Sequence, residues 1–165
     1  MPIYDDVHIN AFIGDTVLQV SRQRLLLFFG TYILLSLLIT WPAVLQLNTA
    51  FIGIDNGDTY INAYLGWWVK DALQHGHNPL HLSLLGYPDG LSGAALPAHF
   101  FLMFPTWLFN LILPLPLAFN FALLFTVALN GLAMFYLIGW LRERYDEVAW
   151  LGGALMMAFP HLQSH

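Results

Sequence analysis

Two carboxylates, Asp55 and Asp58, stand between two long segments that carry no charge. Residues 25–54 and residues 90–141 contain no Asp, Glu, Lys or Arg. Asp55 and Asp58 lie just beyond the first of these two runs. A positioned carboxylate can accept the proton of an attacking hydroxyl or amine, and two carboxylates three residues apart could share a divalent cation such as Mg²⁺ or Mn²⁺. The stretch therefore predicts a general base at Asp58, a metal site of Asp55 and Asp58, or a helix cap beside a solvated turn.

Candidate binding residues lie further along the chain. Lys70 is the only lysine and could contact a phosphate group, or it could extend to lipid headgroups at a membrane surface. His161 and His165, four residues apart, would share one face of a helix and are candidates for substrate binding. Four other histidines could hold a metal or a phosphate but match no zinc spacing: His75, His77, His81 and His99.

Composition defines the class of protein. Hydrophobic residues make up 58% of the chain and charged residues only 9%, against about 25% charged in a typical soluble domain. This favours an all-α integral membrane protein in contact with the lipid bilayer. The formal charge of −5 and the lack of a basic patch argue against nucleic acid as a partner. The absence of cysteine excludes disulfides and thiolate chemistry.

The apolar runs predict about three transmembrane helices. Arg22 and Arg24 precede the first run, and Arg142 and Arg144 follow the second, so the positive-inside rule predicts that both arginine pairs are cytoplasmic. The third run is short of the roughly 20 residues that a span needs, so we expect the front section of a larger protein. The predicted segments are a cytoplasmic tail 1–24, transmembrane helices 25–45 and 117–141, a cytoplasmic loop 142–147 and the start of a third helix 148–165.

The long segment 46–116 is predicted to lie outside the membrane with two interfacial helices of its own. Asp58 is placed as the N-cap of a helix over 58–75, and Gly76 as its left-handed C-terminal cap. That helix has one apolar and one polar face, typical of a helix on a membrane surface or against other helices. Residues 97–113 predict a second interfacial or re-entrant helix, because prolines interrupt an otherwise apolar stretch.

This layout resembles a known family. A transmembrane helix, an early outer-loop Asp, surface helices with an aromatic patch and a helix that ends in basic residues are similar to the N-terminal part of a GT-C fold glycosyltransferase. The resemblance covers about residues 37–165 and rests on the order of short motifs. These are Thr40-Trp41-Pro42, Gly57-Asp58 before Trp67-Trp68-Val69-Lys70, Asn78-Pro79, Tyr87-Pro88-Asp89-Gly90 and Phe159-Pro160-His161.

The resemblance implies a reaction. The matching position makes Asp58 the base for transfer of a sugar from a polyprenyl-phosphate donor to an extracytoplasmic acceptor, in the bacterial plasma membrane of the cell envelope. Some members depend on a metal, which would involve Asp55 and Asp58. The second acidic site expected in a later outer loop is not identifiable in this chain, so the missing C-terminal transmembrane part is an expected partner. The alternative is a non-enzymatic membrane subunit or a flippase-like protein that handles lipid.

Overall fold

The protein is mostly helical, as the sequence predicts. The computed structural model describes residues 22–53, 57–86, 88–93 and 99–158, so Asp55, His161 and His165 lie outside the described residues. The described part contains five α-helices and one small hairpin. These elements are α1 (Arg22–Ile39), a 3₁₀ turn (Ala43–Gln46), α2 (Gly57–His75), β1 (His81–Leu82), β2 (Leu91–Ser92), α3 (Phe100–Asn110), α4 (Leu115–Leu141) and α5 (Glu147–Met157).

Two helices, α1 and α4, are long and apolar enough to cross a membrane. At about 1.5 Å per residue they extend about 27 Å and 40 Å, against a hydrocarbon core of about 30 Å. Helix α1 ends at Ile39 instead of the predicted residue 45, because Pro42 lacks an N–H group and restricts the residue before it. Helix α5 has 11 residues, too few for a complete span.

Helices α1 and α4 run antiparallel. Phe28 near the start of α1 packs edge-on against Phe135 in the second half of α4, with ring centroids 5.2 Å apart. At the end of the molecule where α1 begins, Arg24 and Arg144 line one polar cavity of about 270 Å³. Both arginine-bearing ends therefore lie together. Which side of a membrane they face stays a prediction.

Helix α5 folds back on α4 and completes a three-helix bundle. A Cβ atom on Gly153 would collide with the Tyr32 hydroxyl and with the carbonyl oxygen of Gly131, so only glycine allows this close approach. The Tyr32 hydroxyl donates to the Trp150 carbonyl oxygen at 2.9 Å, and the Trp150 indole N–H donates to the Thr31 hydroxyl at 2.8 Å. The polar groups at this three-helix contact are thus bonded to one another.

Helices α2 and α3 form a second layer beside the bundle. Helix α3 runs back along the first half of α4, because Phe109 packs against Phe121 and the Thr126 hydroxyl donates to the Phe101 carbonyl oxygen at 3.2 Å. It therefore forms a half-length hairpin with α4, and the interfacial or re-entrant placement predicted for 97–113 stays a prediction. At 11 residues it covers about 16 Å, so it does not cross a membrane.

Both faces of α2 make contacts within the protein, and Tyr60, Ile61 and Leu73 stay exposed. The polar face lies on α3, where Gly66 approaches Thr106 so closely that a Cβ atom would clash. The apolar face packs under the β1–β2 hairpin, where Trp68 is 2% exposed and its indole N–H donates to the Pro79 carbonyl oxygen at 3.1 Å. Packing against other elements, one of the two settings predicted for α2, is confirmed, and a position on a membrane surface stays a prediction. Gly76 has φ of 71°, which confirms the predicted left-handed cap.

Candidate functional site

A buried asparagine in α4 holds the segment that leads into α2. Asn120 is 0% exposed, and its Oδ1 accepts from the Ile52 N–H at 2.7 Å. Its Nδ2 donates to the carbonyl oxygens of Leu47 at 2.8 Å and Ala50 at 2.7 Å. Sequence reasoning missed this residue, although an amide within an apolar run is a recognisable signal, because polar groups there need partners.

Asp58 lies in the first turn of α2 and does not cap it. The helix begins one residue earlier, at Gly57, so the prediction of Asp58 as N-cap is wrong. Its side chain is exposed and makes no hydrogen bond or ion pair with the residues that the structure describes. A carboxylate in a first turn is favoured by the helix dipole, and its exposure makes it available to a ligand.

Asn62 and His99 lie beside Asp58. The Asn62 Nδ2 donates to the Asp58 carbonyl oxygen at 2.8 Å, one helical turn earlier. The Asn62 Oδ1 lies 2.9 Å from the Nδ1 of His99, at the start of α3. Residues that are 37 positions apart in the chain are thereby joined, and one amide separates the His99 ring from the Asp58 backbone.

The carboxylate and the arginines lie at opposite ends of the bundle. Phe51 packs edge-on against Phe119 near the start of α4 and against Tyr60 in the first turn of α2, at ring distances of 5.3 Å and 6.0 Å. The start of α2 is therefore near the start of α4. Arg142 follows the other end of α4. At about 1.5 Å per residue, Phe119 and the last residue of α4, Leu141, are about 33 Å apart along the helix axis.

Lys70 is not brought to Asp58. Its Nζ donates to the Asn110 carbonyl oxygen at 2.6 Å, at the C-terminal end of α3, where a cation is favoured by the helix dipole. An ammonium group has three donors, so this bond leaves two for another ligand.

Three buried polar atoms of this layer have no partner among the described residues: the Tyr64 hydroxyl, the Trp107 Nε1 and the Asn110 Nδ2. Burial, with a smaller effect from the Asp71 carboxylate, raises the pKa of Tyr64.

The metal site predicted from Asp55 and Asp58 stays a prediction, because Asp55 is outside the described residues. Within the part of the chain that the structure describes, no three His, Cys, Asp or Glu side chains gather where they could hold a metal ion. His75 instead lies 3.4 Å from the Asp71 carboxylate, and its ring stacks on His77. These histidines stabilise the end of α2 rather than meeting His99.

An apolar cavity of about 270 Å³ lies between α3 and α4. Its walls are phenylalanine, leucine and proline side chains, and Phe101 on its rim is 79% exposed. The cavity can take a hydrocarbon chain but offers almost no polar contact.

Comparison with known proteins adds no relative: no family model, curated protein or solved structure matches this chain. The arrangement of Asp58, Asn62 and His99 is thus the basis for a functional assignment. Chemically it offers a carboxylate and an imidazole near one end of two long apolar helices.

Proposed function

We propose that this chain is part of a membrane glycosyltransferase with a GT-C-like arrangement. It would move a sugar from a polyprenyl-phosphate donor to an extracytoplasmic acceptor. The observation that carries the proposal is the Asp58 carboxylate, which is exposed and has no partner among the described residues. A carboxylate that capped its helix would bond backbone N–H groups, as Asp146 does at α5.

The position of Asp58 supports chemistry at a membrane surface. It lies near one end of α4, about 33 Å along the axis from the arginines at the other end, which is close to the thickness of a hydrocarbon core. If the arginines are cytoplasmic, the carboxylate is on the opposite face. A lipid-linked donor would present its phosphate and sugar at that depth.

The role of Asp58 is that of a general base. Its carboxylate takes the proton of the acceptor hydroxyl, the acceptor oxygen bonds to the anomeric carbon, and the bond from that carbon to the phosphate oxygen breaks. The electron pair leaves with the polyprenyl phosphate. A general base contributes about 10² to 10⁴ in rate. Lys70 remains a proposed phosphate contact through the donors that Asn110 leaves unused. It lies about 18 Å from Asp58 along α2, so it does not hold the phosphate that leaves during this step. His161 and His165 remain proposed substrate contacts.

A lipid-handling protein is the second candidate, and the apolar cavity favours it. That cavity lies between α3 and α4, and a hydrocarbon chain could enter it without any chemistry at Asp58. In this case the layer of α2 and α3 would serve as a packing surface for a lipid or a partner subunit.

Measurement of polyprenyl-phosphate-sugar turnover separates the two candidates. With the full chain in proteoliposomes, we expect Asp58→Asn to lower turnover by about 10² or more, because an amide cannot accept the proton. Asp89→Asn is the matched control, since Asp89 is an exposed carboxylate in the loop between β1 and β2. Unchanged turnover in Asp58→Asn would remove Asp58 as the base. Lipid exchange without turnover would favour the second candidate.

A further inference from the structure

The orientation of the Asn62 amide is dictated by its two partners. A backbone carbonyl can only accept, so the group that faces the Asp58 carbonyl oxygen at 2.8 Å must be the NH₂ of Asn62. The Oδ1 of Asn62 then faces the Nδ1 of His99 at 2.9 Å. An amide oxygen has no proton to give, so Nδ1 of His99 must carry the hydrogen.

The state of the second ring nitrogen follows. In a neutral imidazole one nitrogen bears the proton and the other bears a lone pair. With Nδ1 protonated, the lone pair lies on Nε2. No hydrogen bond to Nε2 occurs among the described residues, and the ring is only half-buried.

Two acceptors at this end of α2 are open to a ligand. The Asp58 carboxylate is one, and the Nε2 of His99 is the other. The Asn62 NH₂ group beside them gives one of its two hydrogens to the Asp58 carbonyl oxygen. Such a pair is complementary to a ligand with O–H or N–H donors and repels an anion.

We propose that His99 is a ligand-binding residue held by Asn62, and that its Nε2 accepts a hydrogen bond from a hydroxyl or ammonium group of the acceptor substrate. Asn62 is a positioning residue, because it acts through the ring of His99. The inference rests on the proposed function for the name of the ligand, but the ring geometry does not depend on it. Phosphate recognition then belongs elsewhere, and Lys70 lies on a different part of the layer.

Nitrogen NMR of the full chain with ¹⁵N-labelled histidine tests the geometry. We expect the ring of His99 to show a protonated Nδ1 and an unprotonated Nε2, with the signals assigned by their loss in His99→Gln. Asn62→Leu should remove this preference. His75, whose Nδ1 lies 2.9 Å from the Asp71 carbonyl oxygen, is the internal control and should not change. A protonated Nε2 in the unmodified protein, or the same pattern in Asn62→Leu, would overturn the assignment.

A change at His75 would mean that Asn62→Leu has disturbed the helix. Asn62→Asp is then the second variant, since its carboxylate keeps an acceptor toward His99. It must retain the protonated Nδ1, and loss of that proton would contradict the proposed contact.

Addition of small probes tests the class of ligand. Methyl glucoside supplies hydroxyl donors, methylammonium supplies an amine, and sulfate is an anion without donors. We expect the Nε2 signal of His99 to shift with methyl glucoside for a hydroxyl acceptor, or with methylammonium for an amine acceptor. A shift with sulfate alone, or with none of the three, would refute the proposal.

Kinetics tests the role in transfer separately. In His99→Gln the amide oxygen can replace Nε2 as acceptor, whereas His99→Asn is too short to do so. We expect KM for the acceptor to rise about tenfold in His99→Asn, the loss of one hydrogen bond, and to rise less in His99→Gln, with a smaller effect on kcat. Equal effects of both variants on KM would overturn the contact. If the unmodified protein transfers no sugar, the proposed function fails, and the NMR result alone decides the role of His99.

Discussion

Polar side chains are hydrogen-bonded differently in two parts of the molecule. One part is the bundle of α1, α4 and α5, and the other is the layer of α2 and α3. In the bundle, Asn120 uses both ends of its amide for three hydrogen bonds, and Asp146 caps α5 by accepting from the N–H groups of Val148 and Ala149. In the layer, Asn110 is 3% exposed with an unpartnered Nδ2, and the Asp58 carboxylate has no partner among the described residues.

This contrast separates stability from function. Native proteins bond nearly all of their buried polar groups, so groups left without partners need an explanation, and a ligand site is one. Among the described residues, no buried side-chain N or O atom of the bundle lacks a partner, as expected of a scaffold. The layer has a buried amide nitrogen without a described partner, and it also has an exposed carboxylate and a half-buried imidazole that a ligand can reach, which is why the functional proposals concern it.

The largest effect is expected from Asn120→Leu. Leucine would leave the Ile52 N–H and the carbonyl oxygens of Leu47 and Ala50 without partners, and each buried unsatisfied group costs about 1–3 kcal/mol. The free energy of unfolding in micelles, measured by steric trapping, should fall by about 4 kcal/mol. Asn130→Leu is the matched control, because Asn130 lies on the same helix with no such bonds. Equal losses in the two variants would show that Asn120 does not hold the loop.

A smaller effect of opposite sign is expected from Asn110→Leu. The substitution removes a buried amide whose Nδ2 has no partner, while the backbone carbonyl that accepts from Lys70 remains. Relief of the unmet desolvation should raise the free energy of unfolding by about 1 kcal/mol in the same assay. A loss as large as that of Asn120→Leu would break the contrast between the two asparagines, since it would mean that the Asn110 amide is bonded.

The smallest effect concerns Asp146 and pH. The hydrogen bond from Arg142, assisted by the N–H groups of Ala149 and Val148, lowers the pKa of Asp146 below its ordinary 3.8. A lowered folded-state pKa means that the stabilisation is complete above pH 3.8 and is lost as the pH falls through the folded-state value. Unfolding measured between pH 6 and pH 2 should show this acid loss.

Asp146→Ser is the comparison for that titration. Serine keeps a cap acceptor but removes the ion pair with Arg142, which is 2.7 Å long. We expect the stability of this variant to depend less on pH over the same range. An identical acid loss in both proteins would mean that other carboxylates cause it, and that Asp146 is no better bonded than Asp58.

Sequence reasoning located the helices well because their signals are local. Apolar length and flanking charge predict α1 and α4, and the glycine after α2 predicts its end. Helix starts and stops were shifted where prolines or an unrecognised first turn intervened, as at Pro42 and Gly57. The β1–β2 hairpin was missed, because two residues per strand give no alternating pattern to detect.

Only part of the candidate site could be predicted from the sequence, because some of its residues are joined by contacts between distant parts of the chain. Asp58 and Lys70 stand out as rare charges in an apolar chain, and sequence alone identifies them. Their separation along α2 also follows from the sequence, because both lie on one helix. The proximity of His99 to Asp58 through Asn62 instead depends on α2 and α3 lying side by side in the same direction. No spacing along the chain encodes that arrangement.

The sequence by itself determined the class of the molecule: a mostly helical, apolar chain whose few charges lie in residues 1–24, in the segment between α1 and α4, or in residues 142–147. Hydrophobicity and charge are sums over neighbouring residues, so they can be read without a fold. Tertiary structure decided which polar groups are bonded. Asn120 and Asn110 are both asparagines in apolar stretches of the sequence. The chain segment packed against Asn120 bonds its amide, whereas the Nδ2 of Asn110 has no partner among the described residues.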